Sequence, residues 1–219
     1  MIRAIIFDLD GVIIESAGIK TETFRALFAD YPDKLPEIMT YHEKNAGISR
    51  YVKFRYFYEH ILDKELTPKK EKELGAQFSQ IALEQILKAP LVTGIEEFLK
   101  KNLKSYLFFI ASGTPEEELK YILRQRKLAG YFQGAYGTPD TKTEITRRIL
   151  TEYRLPAREA VFIGDAESDL TAAADTGVTF ITRINDNEVS LDNCTWKIRN
   201  FSNFEKVLDK ISKAVPAGK

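Results

Sequence analysis

Residues 1–15 read MIRAIIFDLDGVIIE, and this stretch decides the fold. Its short apolar run, Ala4 to Phe7, leads directly into Asp8, Asp10 and Gly11. An apolar run of this length, bounded by turn residues, predicts a buried strand. Side chains two positions apart on an extended chain share a face, so Asp8 and Asp10 can converge on one small volume. These features predict an acidic site where the strand ends, although such a pair also occurs as ordinary turn chemistry.

The composition is typical of an ordinary globular protein. Of the 219 residues, 44% are hydrophobic and 29% are charged, which suits one large domain or a core with a smaller unit. Lys plus Arg and Asp plus Glu number 32 each, so no net charge favours nucleic acid or an anionic membrane. The one cysteine, Cys194, cannot form an internal disulfide, which favours a cytoplasmic location. The charge balance therefore predicts no nucleic-acid or membrane partner. A small-molecule partner and a monomer or weak homodimer are further expectations.

Residues 18–87 show helical patterns without a convincing strand. Apolar side chains recur at helical spacing from residue 23 to residue 30. Ser49 is a suitable N-cap for a helix over residues 50–62. Thr67-Pro68 opens the longest predicted helix, because proline is favoured at the first helical position.

Two connections flank this helical stretch, residues 12–18 and residues 87–94, and each contains a glycine. Together they predict a two-strand hinge, so that the helical stretch can act as a lid. We therefore predict a helical cap domain over residues 15–88, inserted into a core domain formed by residues 1–14 and 89–219.

The rest of the chain alternates between short apolar runs and amphipathic segments. The alternation predicts an α/β fold, with a doubly wound parallel sheet. Strands are predicted at residues 4–7, 106–111, 134–136, 160–163, 178–182 and 196–198. Helices are predicted at residues 93–102, from 114 onwards, and at 143–153, 168–175 and 203–215.

Polar residues of suitable types follow three more of the predicted strands. Ser112 and Gly113 follow the second strand, Lys142 follows the third, and Asp165 and Asp169 follow the fourth. Each signal alone is compatible with helix capping or solvation. Ligands of open α/β sheets bind outside the carboxyl ends of the strands, where all these residues are predicted to lie. Together they predict one shared site.

With these residues in this order, the chain resembles the haloacid dehalogenase (HAD) superfamily. It specifically resembles the helical-cap phosphatases, a branch related to the β-phosphoglucomutases. The family has an Asp-x-Asp pair, a Ser or Thr after the next core strand, a later Lys and a GDxxxD pair. The matching residues are Asp8, Asp10, Ser112, Lys142, Asp165 and Asp169. The resemblance covers essentially the whole chain and implies a Rossmann-like core with an inserted helical cap that selects the substrate.

The resemblance also implies a role for each core residue. Asp8 would attack phosphorus and form an aspartyl-phosphate, while Asp10 would protonate the leaving alkoxide and then activate water. This order requires Asp10 to be protonated at first and Asp8 to be ionised. Ser112 and the backbone N–H of Gly113 would hold phosphate oxygens, and Lys142 would neutralise developing charge.

Electrostatics predicts a cation in this site. At about 4 Å and an effective dielectric constant of about 20, each contact between a phosphate charge and a carboxylate costs about 4 kcal/mol. Mg²⁺ suits carboxylates and phosphate oxygens, and no cluster of His and Cys in the sequence favours a softer metal. The resemblance implies that Asp8, Asp165 and the backbone carbonyl of Asp10 bind Mg²⁺, with Asp169 in contact with the metal or just behind these ligands.

The segment Gly47 to Arg50 is the candidate for substrate selection in the predicted cap. Ser49 caps a helix whose first turn holds Arg50, and a cation there opposes the helix dipole. In the β-phosphoglucomutases, which the chain resembles, a similar loop ending in Ser-Arg holds a second phosphate. The alternative, that Arg50 is a surface arginine, stays open.

These observations predict a Mg²⁺-dependent phosphatase acting on a sugar phosphate or a short organic phosphate through an aspartyl-phosphate. One alternative is a phosphomutase of the β-phosphoglucomutase type. The other is a non-catalytic phosphate-sensing module, which would use the same acidic pocket without turnover.

Overall fold

The strand that precedes Asp8 lies inside a six-stranded parallel sheet. The computed structural model describes residues 1–184, 191 and 193–214. In chain order, the strands are β1 Ala4–Phe7, β2 Leu107–Pro115, β3 Gly134–Thr138, β4 Ala160–Gly164, β5 Thr179–Arg183 and β6 Lys197–Ile198. Across the sheet the order is β3-β2-β1-β4-β5-β6, with every neighbouring pair parallel. The predicted fold class is confirmed.

β1 is apolar throughout because both faces of the sheet are covered. Its side chains alternate between two hydrophobic cores, with Ile5 and Phe7 in one and Ala4 and Ile6 in the other. All four are fully buried. A strand covered on both faces is expected to read as a continuous apolar run.

Helices pack on both faces of the sheet and also fill the stretch between β1 and β2. In chain order they are α1 Ala17–Leu27, α2 Leu35–Lys44, α3 Arg50–Tyr56, α4 Pro68–Lys88, α5 Ile95–Asn102, α6 Glu116–Gln125, α7 Lys142–Glu152, α8 Glu167–Thr176 and α9 Phe204–Ala214. Side chains of α5, α6 and α9 contribute to one core, and side chains of α7 and α8 contribute to the other. In the described ranges, no helix combines the length and apolar character needed to cross a membrane.

The structure corrects several predicted boundaries. The helix predicted over residues 50–62 ends at Tyr56 and continues as a π-helical turn, which the spacing of its aromatic side chains does not reveal. The N-cap of α5 is Gly94 and not Thr93, and Gly94 adopts a left-handed conformation with φ +81°, which glycine tolerates. β2 runs past Ser112, with an irregular register between Ala111 and Pro115. The final helix was predicted to include Val215, which lies outside the described residues.

The two connections that flank α1–α4 lie side by side. The Glu15 N–H donates to the Pro90 carbonyl at 3.0 Å, and the Val92 N–H donates to the Ile13 carbonyl at 2.9 Å. Ile14 forms an antiparallel bridge with Leu91. This pairing is what a two-strand hinge requires, while the domain bounds 15–88, 1–14 and 89–219 stay a prediction. We call α1–α4 and the loops between them the helical insertion.

A chain of hydrogen bonds joins three helices of the insertion. The Lys53 ammonium of α3 donates to His42 Nδ1 of α2 at 2.9 Å and to the His42 carbonyl at 3.2 Å. Because an ammonium can only donate, Nδ1 accepts and Nε2 carries the proton, which it donates to Thr21 Oγ1 of α1 at 3.0 Å. Burial, followed by the charges of Lys53, Lys20 and Arg25, lowers the pKa of His42 to about 3.

The lowered pKa of His42 predicts a loss of stability in mild acid. In the unfolded chain a histidine takes up a proton below pH of about 6.5. Folded His42 stays neutral down to about pH 3, so its contribution to stability is lost as the pH falls below the unfolded value. Between pH 7 and pH 5 the free energy of unfolding of the wild type should fall by about 2 kcal/mol more than that of a His42→Asn variant. Urea unfolding of both proteins at pH 7 and pH 5 measures this difference, with His60→Asn at a half-exposed position as the control. Parallel pH dependences of wild type and His42→Asn would contradict it.

Gly94→Ala should destabilise the fold through the backbone. A Cβ at Gly94 would lie 2.9 Å from the Ser202 backbone nitrogen, and φ is +81°. We expect a loss of about 2 kcal/mol or more, from the left-handed conformation and the contact together. Gly130→Ala is the matched control, because nothing lies within 4 Å of a Cβ there. Equal midpoints of urea unfolding for the two variants would refute the expectation.

Candidate active site

Asp8 stands where β1 ends. Its N–H donates to the Ile163 carbonyl at 2.9 Å, which continues the pairing of β1 with β4. The Leu9 N–H donates to Asp8 Oδ1 at 2.6 Å. Backbone contacts on both sides therefore fix the carboxyl group, and only 3% of Asp8 is exposed.

The turn at Gly11 lets Asp165 approach Asp8. Gly11 has φ +75°, and a Cβ there would lie 1.9 Å from Asp165 Oδ2. Glycine is thus needed for the conformation and for the space. Arg183 of β5 holds the same turn, since it donates to the Gly11 carbonyl at 2.7 Å and to both oxygens of Glu15 at 2.6 and 2.8 Å.

Lys142 connects two acidic residues of the site. Its Nζ lies 2.8 Å from Asp8 Oδ2 and 2.6 Å from Asp169 Oδ1, and all three side chains are buried. The preceding Thr141 forms a capping box with Glu144, which starts α7 at Lys142. The structure therefore brings Lys142, which follows the third strand in sequence, into direct contact with Asp8.

Three carboxylates could hold a cation beside this lysine. Oxygen atoms of Asp8, Asp165 and Asp169 lie within 4.8 Å of one another, and all three residues are buried. Both oxygens of Asp169 have other partners, Lys142 and the Ala166 N–H at 3.1 Å. The oxygen-only donor set fits Mg²⁺.

The protonation tendencies of this cluster follow from burial and charge. Burial, assisted by Asp169 and Asp10 and opposed by Lys142, raises the pKa of Asp8 to about 7. Burial also raises the pKa of Asp169, against the opposing effect of Lys142. Burial alone would lower the pKa of Lys142, but Asp169 and Asp8 outweigh it and raise the pKa. Lys142 is therefore a permanent cation between two acids.

Asp10 has a different environment from Asp8, with a lysine and two hydroxyl groups in contact with its carboxyl group. Ser16 Oγ donates to Asp10 at 2.6 Å, Thr114 Oγ1 donates at 3.2 Å, and Lys20 forms an ion pair with it. Burial would raise the pKa of Asp10, but Lys20 and these hydrogen bonds outweigh it and lower the pKa. The protein groups alone therefore favour charge on Asp10 more than on Asp8. The expected order, with Asp8 ionised against Mg²⁺ and Asp10 protonated, stays a prediction.

The end of β2 supplies Ser112 and Gly113. Ser112 is buried, and its Oγ accepts a hydrogen bond from the Thr114 N–H at 3.1 Å. The Thr138 hydroxyl donates to the Gly113 carbonyl at 3.0 Å, which ties β3 to this segment. A Cβ at Gly113 would lie 2.4 Å from the Gly47 carbonyl, so the helical insertion touches the backbone here.

The loop before α3 reaches into the site. Gly47 has φ +76°, and a Cβ there would lie 2.4 Å from Ser168 Oγ and 2.9 Å from Lys142 Nζ. Ser168 of α8 donates to the Ala46 carbonyl at 3.2 Å. The insertion therefore lies directly over the lysine and acids of the sheet edge.

Ser49 and Arg50 lie where this loop enters α3. Ser49 caps the helix as predicted, accepting from the Tyr51 N–H at 3.3 Å. Arg50 is buried and pairs with both oxygens of Glu118 on α6, at 2.6 and 3.2 Å. Its guanidinium also lies 4.3 Å from the centre of the Phe78 ring. Arg50 is thus not a surface arginine; it links the insertion to the core.

A cavity of about 1020 Å³ joins these parts. Asp8, Asp10, Gly113 and Asp165 line it at the sheet edge. Its lining in the insertion includes Lys20, Thr21, Phe24, His42, Gly47, Arg50, Lys53 and Phe78. A cavity of this volume can hold both the phosphoryl group and the organic part of a small phosphorylated metabolite.

Sequence patterns did not assign a site role to four residues of this cavity and its rim. Lys20 and Thr114 contact Asp10, Glu118 neutralises Arg50, and His42 lines the wall. A loop and most of a helical turn separate Lys20 from Asp10 in the sequence. Glu118 is one of three acidic residues in the first turn of α6, a position where acidic residues are common for reasons unrelated to a site. Their partners are set by how the insertion folds back onto the sheet.

Comparison with known proteins places this fold in a family. The sequence profile of the family described as haloacid dehalogenase-like hydrolase matches residues 5–182. A phosphorylated carbohydrates phosphatase from Thermotoga maritima is 25% identical over 183 residues, which cover 80% of this chain and 82% of that protein.

Solved structures agree in fold. The β-phosphoglucomutase from Clostridium difficile superposes with a TM-score of 0.79 at 18% identity, covering 98% of this chain and 99% of that chain. CbbY from Rhodobacter sphaeroides, solved in complex with phosphate, gives a TM-score of 0.74 at 18% identity, covering 95% and 100%. The predicted family and the prediction of a hydrolytic enzyme are confirmed. The chain belongs to the haloacid dehalogenase-like hydrolases.

Proposed function

We propose that this hydrolase is a Mg²⁺-dependent phosphatase that acts on small phosphorylated carbohydrates. The observation that carries the proposal is the Lys142 ammonium, held at 2.8 Å from Asp8 and 2.6 Å from Asp169 beside a cluster of three carboxylates. A permanent cation and a cation-binding acid cluster, at one end of a cavity, suit a dianionic phosphate.

Asp8 is the proposed nucleophile. A carboxylate oxygen of Asp8 attacks phosphorus, the bond from phosphorus to the ester oxygen breaks, and its electron pair stays on the leaving oxygen, which takes a proton from Asp10. Water then attacks the aspartyl-phosphate and gives a proton to Asp10. The bond from Asp8 to phosphorus breaks, which restores the carboxylate and releases inorganic phosphate.

The contacts of Asp10 favour its role as a base in the second step and oppose its role as an acid in the first. An ionised Asp10, favoured by Lys20, Ser16 and Thr114, is ready to accept a proton from water in the second step. The first step needs a proton on Asp10, which its ion pair with Lys20 opposes. Lys20 belongs to α1, so a movement of the helical insertion would change that balance.

Mg²⁺, when bound, would neutralise the phosphate charge and the adjacent carboxylates. Asp8, Asp165 and the backbone carbonyl of Asp10 are the proposed ligands. Asp169 is assigned a positioning role, because its two oxygens hold Lys142 and the Ala166 N–H.

The remaining core residues are proposed to hold the phosphoryl oxygens. Lys142 contributes charge, the Gly113 N–H contributes a donor, and the Ser112 hydroxyl contributes a second donor. The Ser112 hydroxyl already accepts from the Thr114 N–H, so its own proton remains to be donated.

A carbohydrate phosphate is the proposed substrate class, since the Thermotoga maritima relative is named for that activity. The volume of about 1020 Å³ has room for a sugar. The predicted cap domain over residues 15–88 would select the organic part of the substrate. A cytoplasmic location and a monomer or weak homodimer also stay predictions.

A phosphomutase is the second candidate, because the β-phosphoglucomutase of Clostridium difficile shares the fold. A mutase of this type must hold a phosphate at each end of its substrate. Arg50, the residue proposed for that second phosphate, is neutralised by Glu118 at 2.6 Å, which favours the phosphatase.

Asp8→Asn should fold normally and lose turnover. An amide is too weak a nucleophile for phosphorus, so release of phosphate from p-nitrophenyl phosphate with Mg²⁺ should fall at least about a thousandfold. Thermal melting checks the fold, and Asp209→Asn, at an exposed position of α9, is the control. Activity of Asp8→Asn within tenfold of wild type would end the nucleophile proposal.

Product analysis with sugar monophosphates separates the two candidate functions. Release of free phosphate supports the phosphatase, and an isomerised sugar phosphate in its place would identify a mutase.

A further inference from the structure

We propose that Glu118 is a specificity-determining residue, which neutralises Arg50 and so restricts the cavity beside Arg50 to an uncharged part of the substrate. A substrate that would place a second phosphate at Arg50 is excluded. The inference rests on the proposed function and deepens it, because it names a chemical feature of the substrate.

Arg50 belongs to the same cavity as the acids of the sheet edge. It lines this cavity together with Asp8 and Gly113. In the sequence Arg50 follows Gly47 by three residues, and a Cβ at Gly47 would lie 2.9 Å from Lys142 Nζ. Three residues of chain span at most about 11 Å. A small molecule whose phosphate lies at Asp8 can therefore extend its organic part to Arg50.

Both oxygens of the Glu118 carboxylate are occupied by groups of the helical insertion. Arg50 Nη2 donates to Oε1 at 2.6 Å, and Arg50 Nη1 donates to Oε2 at 3.2 Å. The Ser79 hydroxyl donates to Oε2 at 2.5 Å, while Arg50 Nη1 also donates to Ser79 Oγ at 2.9 Å. The side chains of Arg50 and Glu118 are only 4% and 11% exposed. The bidentate pair therefore leaves no net charge and holds the guanidinium in one orientation.

A second phosphate at Arg50 would meet the negative charge of Glu118. If the phosphate displaced Glu118, a buried carboxylate would be left without its cation. If the phosphate bound beside the intact pair, like charges would lie close together. Both arrangements cost affinity, whereas a hydroxyl group meets neither penalty.

The cavity lining next to Arg50 suits an uncharged group. Phe24 and Phe78 belong to this lining, with ring centres 4.8 Å apart, and the Arg50 guanidinium lies 4.3 Å from the centre of the Phe78 ring. His42, whose ring centre is 4.5 Å from that of Phe24, is neutral because burial lowers its pKa to about 3. Lys53 is tied to His42 by two hydrogen bonds. Aromatic rings and a neutral imidazole favour the carbon and hydroxyl groups of a sugar.

Matched sugar phosphates test the proposal on the Mg²⁺-loaded protein. Fructose 1-phosphate and fructose 6-phosphate each carry one phosphate, and fructose 1,6-bisphosphate carries both. In the wild type, kcat/KM for the better monophosphate should exceed that for the bisphosphate at least about tenfold, because the second phosphate meets Glu118. A kcat/KM for the bisphosphate that equals or exceeds the values for both monophosphates would overturn the proposal, and this comparison needs no variant.

Glu118→Gln should shift the preference towards the bisphosphate. The amide keeps the size of the side chain and removes its charge, so the ratio of kcat/KM for the bisphosphate to that for the better monophosphate should rise at least about tenfold. Adding Arg50→Met to Glu118→Gln should cancel this rise. Glu117→Gln is the matched control, because Glu117 precedes Glu118 in the same helical turn and its side chain is 86% exposed. A purely structural role of Glu118 would lower both kcat/KM values together, and an unchanged ratio in Glu118→Gln would refute the proposal.

Equilibrium binding keeps the test independent of turnover. Fructose 1,6-bisphosphate is titrated calorimetrically into the Mg²⁺-loaded Asp8→Asn protein, with and without Glu118→Gln. Its dissociation constant should be at least about tenfold lower when Glu118→Gln is present, because Arg50 is then available to the second phosphate. Equal dissociation constants would contradict the role of Glu118. If instead the wild type hydrolyses no phosphoester at all, the proposed function fails, and these dissociation constants still decide whether Glu118 excludes a second anion.

Discussion

A buried ammonium between two buried carboxylates is the interaction on which the site depends. Lys142 lies 2.8 Å from Asp8 and 2.6 Å from Asp169, with all three side chains out of water. Removing Lys142 would leave two buried carboxylates without a cation, which is strongly destabilising, whereas Asp8→Asn leaves the pair of Lys142 and Asp169 intact. The elements that carry these residues, β1, α7 and α8, are therefore held in one arrangement, which is the arrangement proposed to receive a phosphate.

The helical insertion completes the site instead of merely covering it. Gly47 packs against Lys142 and Ser168, Gly113 packs against the Gly47 carbonyl, and a side chain at either glycine would separate the two surfaces. Arg50 and Glu118 join the same two parts by a buried ion pair. Lys20, from the first helix of the insertion, lowers the pKa of Asp10. Closure of the insertion and the chemistry at the sheet edge are thereby linked through individual side chains.

Much of the fold and many residues of the candidate site could be predicted from local patterns. A strand buried on both faces reads as an apolar run, so β1 and the acids at its end were recognisable, and parallel topology brought Asp8, Lys142 and Asp165 together. Lys20, Glu118 and His42 could not be predicted, because their roles depend on the angle at which α1, α2 and α6 meet. The effect of Lys20, which lowers the pKa of Asp10, could not be predicted for the same reason.

The central claim, that Asp8 takes up phosphorus, can be tested by trapping the phosphorylated protein. In an Asp10→Asn variant, p-nitrophenyl phosphate needs no proton for its leaving group, while the water step lacks its base. Borohydride reduction after a rapid quench converts an aspartyl-phosphate to homoserine, which peptide mass spectrometry locates. The account predicts homoserine at position 8 when Mg²⁺ is present and none when Mg²⁺ is removed; homoserine at another aspartate, or at none despite continuing release of p-nitrophenol, would contradict it.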